Sequence, residues 1–179
     1  VLFLCCFSFG AQFAGPYFTP YMLEALGFTY GQYLLVFGAG FLVKALLLPS
    51  IGRFGSRLGP WRLLARASVA IVPLALLWLP SRNVGWLIVV QFLAGTCWAA
   101  YELSVALLFF EIAGDRDRSG IVTAYTLGLS VATVSGAACG GLLLRSLGET
   151  PQAYAVVFAA SSLLRAAALP LLRRVRSAT

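Results

Sequence analysis

The feature that most restricts this chain is a succession of apolar runs, each about as long as a bilayer is thick, parted by short segments that hold most of the charge. A hydrocarbon core of about 30 Å takes roughly 20 helical residues per crossing. The charge-poor runs fit six such crossings, near residues 1–23, 31–50, 62–80, 85–110, 121–144 and 152–173. A signal peptide would be one short apolar run behind a basic start, whereas here such runs continue to about Arg173. Only 11% of residues are charged, well below the roughly 25% of soluble domains. The expected class is an all-α polytopic membrane protein. The first residue is Val and not Met, so a fragment of a longer protein is expected.

Several kinds of chemistry are excluded by composition. The chain has no His, which removes the Ser-His-Asp triad, the HExxH zinc site and imidazole proton relays. Cys5, Cys6, Cys97 and Cys139 lie inside apolar runs without CxxC spacing, so they read as packing thiols, with no disulfide framework, no metal site and no cofactor expected. Asp115 and Asp117 stand alone in one loop, too few for a membrane phosphotransferase. No enzyme is expected. The net charge of +7 comes from Arg residues spread over short loops and not from one basic face, so nucleic acid is not an expected partner.

Polar residues inside the runs are then the candidates for function, because an acid at the centre of a membrane helix costs roughly 2.5–3.5 kcal/mol. The stretch QFLAGTCWAAYEL holds Gln91, Gly95, Trp98 and Glu102 at steps of four, three and four, which places them on one helical face. The second run holds Lys44, after the small residues Gly38, Ala39 and Gly40. The first run is interrupted by Gly15, Pro16 and Pro20, with Gln12, Tyr17 and Tyr21 around the break. It reads either as a kinked packing helix or as a discontinuous helix lining a pathway. Pro73 predicts a kink in the third run, and Trp78 suits a membrane interface. Gly128, Ala132, Gly136 and Gly140 form a four-residue repeat, a seam for close helix packing. Arg165 reads as a packing or lipid-facing residue whose long stem snorkels.

Basic residues set the orientation. Arg53, Arg57, Arg62, Arg66, Arg116, Arg118, Arg173, Arg174 and Arg176 fall on one side and only Arg82 and Arg145 on the other. The richer side is expected in the cytoplasm, with both ends of the chain. Lys44 lies about 12 Å inside one boundary on that side and Glu102 about 13 Å inside another, at 1.5 Å per residue. An ion pair between them is open to the chain at that shared depth, either as a structural pair fixing helix register or as part of a pathway.

Several motifs carry a resemblance. GRFGSRLGPWR, from Gly52, is similar to G-x-x-x-D-R-x-G-R-R, with Gly52, Arg57 and Gly59 matching, Ser56 in place of the acid, and Pro60 and Trp61 in place of the basic pair. WAAYEL, Trp98 to Leu103, is similar to W-A-G-[FY]-[DE]-L, which puts Glu102 at the acidic position. Asp115 to Gly120 resembles P-x-x-R-[AG], the run from Gly136 resembles G-x-x-x-G-G-x-L, and GPYFTPYML resembles P-F-F-x-x-Y-M-L; FAASSLLR is like the start of a twelfth helix. In this order they resemble the C-terminal six-helix half of a major facilitator superfamily transporter, from a bacterial branch of unassigned substrate.

The resemblance implies a 3+3 inverted-repeat half of a 12-helix fold and secondary transport of a small solute by alternating access. The first and fourth helices here would line a central cavity, with Gln12, Tyr17, Gln91 and Trp98 as walls. Glu102 would serve proton or cation coupling, with Lys44 as its counter-ion or an anion contact, and transport is expected to be driven by a proton gradient. Gly52, Arg53, Arg57 and Gly59 would form a cytoplasmic gating loop. The expected partners are the bilayer of a bacterial inner membrane, a solute, and a missing N-terminal half or a second half supplied by dimerisation. The alternative is a receptor or scaffold that keeps a transporter fold without transport.

Overall fold

In a computed structural model the fold is described for residues 1–112, 118–148 and 150–172, apart from the side chains of Phe54, Ser56, Ile112, Arg118 and Ser119. Every regular element among these residues is helical. The α-helices are α1 (Leu2–Ala14), α2 (Phe18–Pro20), α3 (Tyr30–Leu58), α4 (Pro60–Ile71), α5 (Val84–Ile112), α6 (Arg118–Ser146) and α7 (Pro151–Ala168). Among the described residues five helical stretches are long and apolar enough to cross a membrane: Tyr30–Arg53, Pro60–Trp78, Val84–Glu111, Gly120–Ser146 and Pro151–Leu171.

The first apolar run is not one continuous helix. Pro16 and Pro20 each lack a backbone donor and crowd the preceding turn. The chain accordingly passes from α1 through a 3₁₀ turn at Gly15–Tyr17 and the single turn α2 into a π-helical turn at Tyr21–Ala25, closed by Leu26 N–H donating to the Tyr21 carbonyl at 2.9 Å. Pro73 acts similarly. The third run changes from α4 to a 3₁₀ segment over Val72–Trp78.

Capping sets the starts of α3 and α7. Thr29 Oγ1 accepts from Gln32 N–H at 3.3 Å, and Gln32 Oε1 accepts from Thr29 N–H at 3.0 Å, a reciprocal box that satisfies two donors. Thr150 Oγ1 accepts from Ala153 N–H at 3.3 Å, with Pro151 at the first helical position.

The Gly-rich, Arg-rich stretch expected as a gating loop is instead mostly helix. α3 continues through Pro49 to Leu58, so Gly52, Arg53 and Arg57 ride on its last turns and only Gly59 stands outside. Glycine inside a helix costs only about 1 kcal/mol, too little to end a helix of 29 residues. The stop comes where two effects meet: Pro60 disfavours helical geometry in the residue before it, and Gly59 takes φ +81°, a region that suits glycine. The expected connection at Asp115 to Gly120 falls largely outside the described residues.

α3 packs along α5, α1 lies between α6 and α7, and α4 packs on α5, while the Val72–Trp78 segment rests on α7. Two aromatic-rich cores result. One gathers Phe13, Met22, Val36, Trp78, Val90 and Phe158; the other gathers Phe3, Phe7, Leu64, Ile71, Tyr101 and Leu108. Glycine seams set the closest approaches. A Cβ on Gly136 or Gly140 would run into the backbone carbonyls of Phe9 or Phe13, and one on Gly128 into Cys5 Sγ, so the expected seam, with buried Ala132 between, is the face that α6 presents to α1. Leu34, Leu35, Leu42 and Leu46 on α3, and Leu127, Val131, Val134 and Leu142 on α6, remain exposed. Apolar faces of that extent suit lipid or another helical surface.

Candidate functional site

α5 brings Gln91, Gly95, Trp98 and Glu102 onto one wall of a cavity of about 280 Å³. The helical period explains the arrangement, since steps of four, three and four return to nearly the same azimuth. Beside them α3 contributes Phe37, Gly40, Phe41 and Lys44, and α1 contributes Ala11 and Gln12. The two long helices approach closely because each offers a glycine at the crossing: a Cβ on Gly95 would collide with the Gly40 carbonyl, and one on Gly40 would sit 3.0 Å from Gln91 Oε1.

Lys44 and Glu102 meet in that wall. Lys44 Nζ donates to Glu102 Oε1 at 2.6 Å and lies 2.5 Å from Oε2, a two-oxygen contact between charged groups. Neither side chain is sealed off, with Lys44 32% and Glu102 53% exposed. Both residues also line the cavity.

The remaining polar groups are distributed unevenly. Gln12, Gln91 and Trp98 line the cavity with the ion pair. Tyr17, expected beside them, is not among the cavity's lining residues: its hydroxyl donates to the Ala137 carbonyl at 2.6 Å, and its ring packs against Gly140 and Gly141 of α6. The helical period accounts for this: Tyr17 follows Phe9 and Phe13 at steps of four, and all three meet the glycine seam of α6, whereas Gln12 lies on the cavity face with Ala11, Gly15 and Phe18. Tyr17 therefore fastens the broken segment to α6.

Two residues entered the site from roles that sequence assigned elsewhere. Trp78, expected at a membrane interface, is buried; its ring centroid lies 4.7 Å from that of Phe18, and both line the cavity. Arg165, expected as a packing or lipid-facing residue, is only 4% exposed and does not snorkel. Its Nη1 donates to the Ile71 carbonyl at 3.0 Å, Nη2 to Ser161 Oγ at 2.9 Å and Nε to the Ser161 carbonyl at 3.2 Å. Ser161 Oγ in turn donates to the Gly10 carbonyl at 2.6 Å. The signal available in sequence was the Ser161 and Arg165 spacing of four, which stacks hydroxyl and guanidinium on one face.

Gly52, Arg53 and Arg57 at the end of α3, and Gly59 beyond it, do not line this cavity. The four cysteines are free thiols. Among the described residues no group of three or more His, Cys, Asp or Glu is placed to hold a metal ion.

The family model described as Major Facilitator Superfamily matches residues 1–179. The chain belongs to the major facilitator superfamily. Neither a curated protein nor a solved structure gives a significant match. Members of the superfamily are membrane transporters and not enzymes, and the membrane-length helices of this member make it an integral membrane protein. A transporter needs a polar passage inside an apolar body. In this superfamily member the cavity between α1, α3 and α5 is where such groups converge.

Proposed function

We propose that this superfamily member moves a small solute across a bacterial inner membrane by alternating access, with transport coupled to protons through Glu102. In this reading the chain is the C-terminal half of a 12-helix transporter, built as a 3+3 inverted repeat with both ends in the cytoplasm. The interrupted run from Leu2 to Ala25 supplies the first of six crossings, and an N-terminal half faces α1 and α5 across the cavity. The observation that carries the reading is the cavity wall itself, where one acid, two bases, two amides and several aromatics meet within about 280 Å³.

The coupling role follows from the pair's geometry. With Glu102 ionised, Lys44 holds it at 2.6 Å and ties α3 to α5 at the level of the cavity. Protonation removes the carboxylate's charge and with it most of the attraction, which frees Lys44 for a solute and loosens one helix from the other. An open, half-exposed carboxylate can exchange its proton with whichever side the cavity faces. Expected from this is a sharp effect of Glu102→Gln. In liposomes holding the full-length protein and an internal pH dye, solute-driven proton flux should fall by at least about tenfold, while solute exchange without a gradient persists. Unchanged proton flux in this variant would sink the coupling role.

A further inference from the structure

Arg165 poses a problem that packing alone does not solve. A guanidinium remains charged in a membrane protein interior, and placing it near the centre of a membrane helix costs roughly 2.5–3.5 kcal/mol even on the mildest scale. The usual remedy is a carboxylate within contact distance. Arg165 has none among the described residues, since its partners are the Ile71 carbonyl and the carbonyl and hydroxyl of Ser161. Those bonds occupy three of its five N–H donors, leaving one on each terminal nitrogen. They also fix the group in place. Ile71 ends α4 where the 3₁₀ segment begins, Ser161 lies one turn before Arg165, and a Cβ on Gly10 would sit only 3.1 Å from Arg165 Cγ. The guanidinium is therefore bonded to α4 and α7, its stem packs against α1, and it has two donors to spare.

Charge in the cavity is correspondingly unbalanced. Among the described residues its lining holds three charged side chains, Lys44, Glu102 and Arg165. Lys44 and Glu102 neutralise one another, and the charge of Arg165 is left over. We propose that Arg165 is an anion-binding residue of the cavity and that the solute carries one carboxylate or phosphate group, which supplies the missing counter-charge. This rests on the transport reading for the word solute, although the binding itself does not require transport. Two N–H groups on a planar cation suit the two oxygens of either anion. Gln12 and Gln91 add amide donors, and Trp78 and Trp98 offer faces to an apolar remainder.

The test is equilibrium binding to the purified full-length protein by calorimetry, using benzoate, phenyl phosphate, the neutral benzamide and benzylammonium as probes of similar size. At least one of the two anions is expected to bind about tenfold or more tightly than benzamide, and benzylammonium more weakly still. Which anion leads distinguishes a carboxylate site from a phosphate site. Arg165→Gln should abolish the preference and Arg165→Lys should retain part of it, the lysine being a point charge without the planar pair of donors. The comparison among probes on the unsubstituted protein decides the matter even where Arg165→Gln does not fold. Anions that bind no better than benzamide, or a preference that survives in folded Arg165→Gln, would overturn the assignment. Anion binding without any transport counts against the transport reading alone, and transport of a neutral solute without anion preference counts against this inference alone.

Discussion

Gly140→Leu is expected to leave little folded protein in detergent. The first atom of any side chain at this position meets the Phe13 carbonyl, with the Tyr17 ring also within 3.0 Å. Backbone cannot swing aside as a flexible side chain can, so α1 and α6 must separate along the seam. Overpacking of this kind costs typically 1–3 kcal/mol and occasionally more. Leucine adds three carbons beyond the offending atom and displaces Tyr17 from its bond to the Ala137 carbonyl, so a loss above about 3 kcal/mol is expected. For a chain of this size that corresponds to a melting temperature lowered by roughly 10 °C. Gly38→Ala is the control. Nothing lies within 4 Å of its would-be Cβ, and alanine favours helix over glycine by about 1 kcal/mol, so the melting temperature should hold or rise. Equal losses from both substitutions would show that α1 and α6 do not meet along this seam.

The second large effect concerns the Lys44 and Glu102 pair, where stability and flux are expected to part company. A fully buried pair broken on one side loses about 3–5 kcal/mol, whereas an exposed pair contributes about 0–1 kcal/mol. With side chains 32% and 53% exposed, this pair belongs near the second case. Lys44→Met and Glu102→Gln should each shift detergent stability by no more than about 1 kcal/mol, yet each should lower coupled transport at least tenfold. Exchange of the two charges should leave stability near that of the parent without restoring transport. A loss of several kcal/mol from each single change, recovered by the exchange, would instead mark the pair as a structural fastener.

Much of the site was legible from spacing, and the limits were physical. The α5 face could be read directly because Gln91, Gly95, Trp98 and Glu102 sit in an uninterrupted helix whose period fixes which residues align. The shared depth of Lys44 and Glu102 followed from helix rise and from counting crossings. Tyr17 was misplaced although its spacing was informative: it stands five residues from Gln12, well off that face, and four from Phe13, which meets α6 as Tyr17 does. The stretch after Pro49 misled for another reason, because Gly and Pro in it suggest a loop while the helix persists until Pro60 and Gly59 act together. Trp78 and Arg165 were missed because long amphipathic side chains in apolar runs have two good solutions, at the interface or inside. Only the neighbours decide between them, and those neighbours, Phe18 for one and Ile71 with Ser161 for the other, come from distant parts of the chain.

The most direct measurement is thiol accessibility at the cavity wall. In full-length protein with Cys5, Cys6, Cys97 and Cys139 replaced, Gln91→Cys and Trp98→Cys would be exposed to a membrane-impermeant maleimide in right-side-out and in inverted vesicles, with Leu127→Cys on the apolar face of α6 as the lipid-facing control. A cavity that opens alternately should let both wall positions react from either side, and saturating solute should slow them, while Leu127→Cys stays unlabelled. Wall positions that resist the reagent from both sides, or react no faster than Leu127→Cys, would contradict the placement of a solute pathway between α1, α3 and α5.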